Sequence, residues 1–130
     1  MANDSHQELV DFFDRFVDAF RTFDGGVVAT RFHSPFIAVH TDKTVETLCS
    51  ETETATYFQK YVEDYSALDC RTCGYRDLEV HPVGDSCLLA TVTWELYDEN
   101  RSILTSWIES YLIARKDSDL TILSTIDHAT

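Results

Sequence analysis

The chain has 130 residues, of which 44% are hydrophobic and 12% aromatic, so it can bury a full core and is not expected to be disordered. Its 23 acidic residues outnumber its 10 basic residues and give a formal net charge of −13, a field that would repel nucleic acid and anionic membranes. We therefore expect neither as a partner, and we expect residues 1–130 to form a single domain.

The N-terminus and the cysteines indicate a cytoplasmic protein. The first eight residues are polar and acidic, without the apolar run of a signal peptide, and no segment approaches the length of a membrane span. Four cysteines in a chain with a good core are more typical of reduced thiols than of a disulfide framework.

Two helices are predicted before the first strand. Ser5 and Glu8 form a capping box, and apolar residues at helical spacing, four of them phenylalanines, follow up to Phe20. Residues 24–26, Asp-Gly-Gly, stop this helix. A short second helix is expected over residues 27–32.

A strand, a brief partner strand and a third helix follow. Residues 36–40 are apolar and come after a proline, which predicts a strand, and residues 44–49 are expected to return beside it. Ser50 and Glu53 form a second capping box, which predicts a helix that ends at about Leu68.

The second half of the chain is predicted to be an antiparallel meander. Helices followed by a run of strands indicate the α+β class, and long strands should curl around the helices into a cone with an open end. The predicted strands cover residues 75–82, 86–98, 101–116 and 120–128.

Strand register decides which side chains face the inside of this cone. Two-residue loops at 99–100 and 117–118 would pair Val92 with Trp107 and Trp107 with His128. One face would then be an aromatic wall with a few polar groups, which suits a ligand cavity. It would collect Ala90, Val92, Trp94, Trp107, Glu109, Tyr111, Ser124 and His128.

A second register is open at the same point. A three-residue loop with Asn100 in the left-handed conformation would place Leu104, Ile108 and Leu112 against Trp94. The concave face would then be drier, and the polar groups would turn outward. We favour the first register.

Glu109 is the sharpest candidate for chemistry. A carboxylate with aromatic neighbours on a central strand is energetically costly to bury unless it has a hydrogen-bonding partner or a function in the site. If it faces the cavity, desolvation should raise its pKa toward a value useful for acid or base catalysis, with His40 or His128 as the complementary group. If it faces outward it is simply solvated. His40, at the end of an apolar strand, is a separate candidate for a general base at the mouth of the pocket, and the alternative is a partly exposed histidine at a strand end.

Aromatic side chains are the candidates for ligand binding, although such residues are also common in cores and interfaces. These candidates are Phe16, Tyr57, Tyr61, Trp94, Trp107 and Tyr111.

No cofactor or metal is expected. Cys70 and Cys73 have the spacing of a metal or redox pair, but zinc needs two further ligands and only scattered cysteines and His81 are available. The chain also lacks a P-loop, a Gly-rich dinucleotide fingerprint and a nucleophile elbow.

The order of elements resembles the nuclear transport factor 2-like superfamily, also called SnoaL-like, over nearly the whole chain. The matching features are the Phe-rich first helix, the Tyr-rich helix, the Pro35-Phe36 entry to a short strand, the Gly84-Asp85 turn and the closing run 120–122. The resemblance implies the cystatin-like cone, in which a curved antiparallel sheet wraps around N-terminal helices, and a common dimeric state.

Members of this superfamily include isomerases, dehydratases, polyketide cyclases, epoxide hydrolases and non-catalytic binding modules, so the fold does not choose a function. Steroid-isomerase-like members carry a carboxylate base near the end of the first strand, where this chain has His40 and Asp42. The tyrosine that such members carry on the first helix is absent here, because that face carries only phenylalanine.

Three functions stay open. The first is a domain that binds an apolar small molecule without transforming it. The second is a cofactor-independent lyase, isomerase or cyclase that uses Glu109 with His40 or His128. The third is a structural dimerisation module with a filled cone. In each case the run 87–90, apolar on both faces, favours a homodimer through the sheet.

The acidic surface leads to a first testable prediction. Three lysines stand against seven arginines, and self-repulsion at a net charge of −13 would be screened by high salt, as in a halophilic cytoplasm. We expect the midpoint of chemical unfolding to rise between low and molar KCl. An unchanged midpoint would exclude the halophilic interpretation.

Overall fold

Three helices pack on one six-stranded sheet. The computed structural model describes residues 2–128, with the side chains of residues 5–128. Its elements are α1 (Ala2–Arg21), α2 (Gly25–Ala29), β1 (Phe32–Val39), β2 (Val45–Leu48), α3 (Glu51–Ala67), β3 (Thr72–Val83), β4 (Cys87–Tyr97), β5 (Ile103–Lys116) and β6 (Asp119–Asp127). The strand order is β2-β1-β6-β5-β4-β3. None of the helices described within residues 2–128 is long and apolar enough to cross a membrane.

The predicted α+β class and cone-like sheet are confirmed, with one difference in strand direction. Neighbouring strands run antiparallel except β1 and β6, which are parallel. The last strand therefore enters the middle of the sheet beside the first strand, and the sheet is mixed.

The start of α1 differs from the prediction. The helix begins at Ala2, so Ser5 lies inside it and the predicted capping box is wrong. The Glu8 carboxylate pairs instead with the Arg115 guanidinium on β5. Glu8 therefore forms a long-range ion pair with Arg115 and does not take part in the predicted capping box.

The phenylalanines of α1 fill part of the concave face of the sheet. Phe13 is fully buried, with its ring centroid 5.3 Å from that of Tyr111 and 5.5 Å from that of Tyr75. Phe16 is 1% exposed and meets Trp94 edge to face at 5.7 Å. These contacts fix α1 over β3, β4 and β5.

The second helix begins and ends earlier than predicted. The Asp24 side chain accepts a hydrogen bond from the Gly26 amide at 2.8 Å and caps α2, so the residues interpreted as a stop signal also start the next helix. Phe32 belongs to β1, which contains the cis Ser34-Pro35 bond and is longer than predicted.

The predicted cap of α3 is confirmed. Ser50 accepts a hydrogen bond from the Glu53 amide at 3.1 Å, and the Glu53 carboxylate accepts one from the Cys49 amide at 2.5 Å. Phe58 and Val62 are buried against the core side of the helix. The neighbouring Tyr57, Tyr61 and Tyr65 are only half-buried.

The predicted pairing of Val92 with Trp107 is wrong by two residues. Val92 pairs with Glu109, because the connection spans residues 98–102, with Arg101 in the left-handed conformation, and a bulge follows it. Since side chains alternate with a period of two, the shift leaves the same residues on the concave face. The alternative register is wrong as well, because Leu104 and Ile108 are 40% and 38% exposed on the outer face.

The register between β5 and β6 contains a one-residue shift. Near the turn at residues 117–118, β5 and β6 pair as predicted. A bulge between Ile122 and Ser124 then shifts the pairing of all residues farther from the turn by one position. Asp127 therefore lies opposite Glu109, and the predicted pairing of Trp107 with His128 is wrong. Ser124, which was expected on the aromatic wall, turns to the outer face.

Candidate functional site

A cavity of about 240 Å³ lies between the concave face of the sheet, α3 and the C-terminal part of α1. Phe16 and Trp107 form walls of this space, so the cone is not packed shut as the structural-module hypothesis requires. Eight of the nine predicted site residues line it. They are Phe16, Tyr57, Tyr61, Trp94, Trp107, Glu109, Tyr111 and His128.

The walls are mainly aromatic. The hydroxyl oxygens of Tyr57 and Tyr61 are 3.5 Å apart, and the ring of Tyr65 lies 6.2 Å from that of Trp107. A small apolar molecule with a planar body fits walls of this kind.

Two carboxyl groups face each other on the cavity wall. Glu109 on β5 and Asp127 on β6 are directly paired across neighbouring antiparallel strands. Like charges at such a position repel strongly, so a pair of this kind is stable when the two groups share a proton. We refer to Glu109 and Asp127 as the carboxyl pair.

Burial sets the protonation of Glu109. Desolvation and the negative charge of Asp127 raise the pKa of Glu109 from its ordinary 4.5 to about 8. Hydrogen bonds from Trp107, whose indole nitrogen donates to Oε1 at 2.8 Å, and from Tyr111 act in the opposite direction. At neutral pH the Glu109 carboxyl group is therefore protonated and donates to Asp127. The same side chain lines the cavity.

Asp127 lies nearer the solvent than Glu109, with its side chain 33% exposed. Desolvation raises its pKa, while the hydrogen bond from Glu109 and the charges of His40 and His128 lower it. The two carboxyl groups therefore have different environments, and the deeper one holds the proton.

Trp94 and Tyr111 complete the floor of the site. The Trp94 indole nitrogen donates to the Tyr111 hydroxyl at 2.7 Å, and both side chains are buried. The Tyr111 hydroxyl is thus left to donate toward Glu109. A buried network in which the donors are paired holds the carboxyl group in one orientation.

His40 lies behind the carboxyl pair and not on the cavity wall. Its Nε2 is 2.8 Å from Glu46 Oε2, and its Nδ1 is 3.9 Å from Asp127 Oδ2. The ring therefore connects the pair to an exposed carboxylate. Asp42, the other residue that the resemblance implied as a base, accepts hydrogen bonds from Thr44 in an exposed turn, and these lower its pKa.

His128 lies at the rim, exposed to solvent. Its Nε2 is 2.7 Å from Ser110 Oγ, which is itself 2.7 Å from Thr91 Oγ1 on the outer face of the sheet. The ring is thus held by outer-face hydroxyls, and Asp127 takes the place beside Glu109 that was expected for His128.

Cys70 and Cys73 are not arranged for metal or redox chemistry. Both are buried, and burial raises the pKa of Cys73 to about 12 and that of Cys70 above its usual range, so both stay thiols. Within the described residues, no group of three or more His, Cys, Asp or Glu side chains could hold a metal ion.

The family model described as NTF2-like protein (DUF6841) matches residues 7–130. The chain belongs to this NTF2-like family. The predicted resemblance is thereby confirmed. No curated protein matches the sequence.

Solved structures with the same fold come from distant sequences. Aln2 from a Streptomyces species is 13% identical with a TM-score of 0.78, over 97% of this chain and 91% of that one. An NTF2-like protein with a cystatin-like fold from Novosphingobium aromaticivorans is 8% identical with a TM-score of 0.76, over 98% and 83%. The yeast UBP3-associated protein BRE5 is 13% identical with a TM-score of 0.74, over 97% and 98%. At these identities the likeness concerns the fold alone.

Sequence reasoning on this NTF2-like chain missed two acidic residues of the site, Asp127 and Glu46. In β6 the buried residues Leu120 and Ile122 are even-numbered, so simple alternation would place the odd-numbered Asp127 on the outer face. Asp127 faces inward only because β6 has one extra residue, a bulge, after Ile122. The alternation gave no signal for that bulge, because the parity of Leu120 and Ile122 continues through Ser124 to the apolar Ile126. Nothing in the local sequence pointed to Glu46.

Proposed function

We propose that the protein is an acid–base catalyst for a hydrophobic small molecule, a lyase, isomerase or cyclase whose reaction needs only proton transfer at Glu109. The observation that carries this proposal is the carboxyl pair, two carboxyl groups placed opposite each other on the wall of a mainly aromatic cavity. Two titratable groups that converge on a common space are typical of proton-transfer sites.

The pKa of Glu109 suits both halves of such a reaction. A group that titrates near the working pH can donate a proton as the acid and accept one as the base. With a pKa of about 8, the acid predominates at neutral pH and an appreciable fraction of base is present. Asp127 supports this balance, because its charge holds the proton on Glu109.

The aromatic walls would supply binding and exclude water. A planar apolar substrate would displace water from Trp107 and Tyr61, and the carboxyl pair would then act in a drier environment. Trp107 and Tyr111 would keep the Glu109 carboxyl group in one orientation while the substrate reacts.

His40 and Glu46 would exchange protons between the pair and solvent. The Glu46 side chain is 53% exposed, the His40 side chain 17%, and His40 contacts Asp127. A histidine suits this role because its two ring nitrogens can each hold or pass a proton between two partners. In this proposal His40 is a positioning and relay residue and not the base itself.

The base at Glu109 can be tested without knowing the natural substrate. We expect 5-nitrobenzisoxazole to be opened in the cavity: the base takes the carbon-bound proton, the N–O bond breaks and a coloured cyanophenolate forms. Activity should rise with pH around 8, where Glu109 loses its proton, and E109Q should lower kcat/KM by about 100-fold or more.

Two variants control this experiment. D127N should shift the pH profile to lower pH, because it removes the charge that raises the pKa of Glu109. E79Q makes the same chemical change at an exposed position of β3 and should leave the profile unchanged. Equal activity of E109Q and the parent chain would refute the proposal.

A binding module for an apolar ligand is the second candidate, and the aromatic walls favour it as well. Trp94 and Trp107 are the two tryptophans of the chain and both line the cavity, so their fluorescence reports its occupancy. Binding of the benzisoxazole without any turnover would favour this candidate over the enzyme.

We also propose a homodimer through the outer face of the sheet and, on the strength of four free cysteines, a reducing cytoplasmic location. Ile37, Ile108 and Ile126 are 38–42% exposed on this face, on three strands of the sheet. Leu89 and Leu112 lie half-buried on the same face. An apolar sheet face of this kind is commonly covered by a second copy.

The dimer is tested by the molar mass in solution. We expect light scattering on the eluted parent chain to give twice 14.9 kDa, and I108E to give the monomer. L68E changes an exposed leucine at the end of α3, away from this face, and should stay dimeric. A monomeric parent chain at tens of micromolar would contradict the proposal.

A further inference from the structure

The cavity wall carries negative charge that no arginine or lysine balances. Among the described residues that line it, two are carboxylic acids and none is Lys or Arg. The basic groups beside the carboxyl pair are imidazoles, His40 behind Asp127 and His128 at the rim, where Ser110 holds it. An anionic ligand would therefore meet no arginine or lysine side chain among the described residues that line the cavity.

Aromatic rings surround the carboxyl pair. Tyr57, Tyr61, Tyr65 and Trp107 form a continuous row, with successive ring centroids 5.0, 6.1 and 6.2 Å apart. Burial keeps Tyr57 and Tyr65 as neutral phenols, because it raises the pKa of each far above neutral pH. Rings combined with a carboxylate are the arrangement that recognises organic cations, through the negative faces of the rings.

We propose that the cavity selects an organic cation, a substrate with an aryl or alkyl body and a tertiary or quaternary ammonium group that lies beside the carboxyl pair. This inference rests on the carboxyl pair of the proposed function and names its substrate class. Asp127, the more exposed member, would meet the ammonium group, and the row of tyrosines would enclose the apolar body.

Binding of the cation would also change the protonation of Glu109. The bound positive charge stabilises the doubly ionised pair, so the proton shared by Glu109 and Asp127 leaves to solvent as the ammonium group arrives. One proton is released for one cation bound, and no covalent bond is changed. The substrate would thereby convert Glu109 into the base that the reaction needs.

Several other titratable groups face the pair and belong to the same equilibrium. They are His40 with Glu46 from the β1–β2 side, His128 at the end of β6, and Tyr57, Tyr65 and Tyr111 on the walls. The tyrosines stay neutral below about pH 9, so they are not the source of the proton released on binding.

The test compares two ligands of nearly the same shape. Phenyltrimethylammonium is the cation and tert-butylbenzene is its neutral counterpart, and quenching of Trp94 and Trp107 reports the binding of both. We expect the cation to bind about tenfold or more tightly at neutral pH, and 4-tert-butylbenzoate to bind more weakly than either. Equal affinity for cation and neutral ligand would overturn the inference.

Variants separate the site from the general acidity of the chain. In E109Q/D127N the ratio of cation to neutral affinity should fall toward one, while the neutral ligand still binds. E79Q/D85N removes two exposed carboxylates and should keep the full ratio. A ratio that survives in E109Q/D127N, or that falls equally in E79Q/D85N, would assign the preference to the net charge and refute the inference.

Proton release gives an independent measurement. Calorimetry in two buffers of different ionisation enthalpy should show about one proton released per cation near pH 7 and none above about pH 9. H40Q should retain this release if the proton comes from the carboxyl pair, and release lost in H40Q would contradict the inference. Turnover of 5-nitrobenzisoxazole without cation preference would leave the proposed function standing alone, and cation preference without turnover would leave a cation-binding module.

Discussion

The pairing of Glu109 with Asp127 across two strands is the interaction on which the site of this molecule depends. Two carboxyl groups placed opposite each other inside an apolar cone repel each other when both are ionised. Burial raises the pKa of both groups, so the pair holds a proton at neutral pH. Two apolar side chains would satisfy the fold at the same positions, and for this reason the carboxyl pair is the basis of the proposed function.

The same constraint explains how the surroundings of the pair are built. Trp94 donates to Tyr111, and Trp107 donates to Glu109, so the polar atoms of the aromatic wall are directed at the carboxyl group or at each other. Phe16 of α1 and Phe58 of α3 add apolar walls to the cavity, beside the tyrosines of α3. The NTF2-like fold supplies the cone, whereas the carboxyl pair, His40 and Glu46 are the features of this chain on which the proposed acid–base chemistry rests.

The elements were predictable because local signals specify them. The Ser50 cap and the alternation of the strands were strong enough to fix α3 and the α+β class. The errors came from contacts that local sequence does not encode, such as the ion pair that uses Glu8 and the bulges that shift strand register. The predicted register at Val92 was wrong by two residues, so the same side chains stayed on the concave face. The predicted register at Ser124 was wrong by one residue, so the Ser124 side chain lies on the outer face of the sheet and not on the concave face.

The most direct measurement is the pKa of Glu109 itself, followed by carbon-13 NMR of carboxyl-labelled protein and assigned with E109Q. We expect a carboxyl group that titrates at about 8, coupled to a second group that titrates lower, and a downward shift of the Glu109 titration in D127N. A Glu109 resonance that titrates near its ordinary value of 4.5, with no response to D127N, would contradict the shared proton and the function built on it.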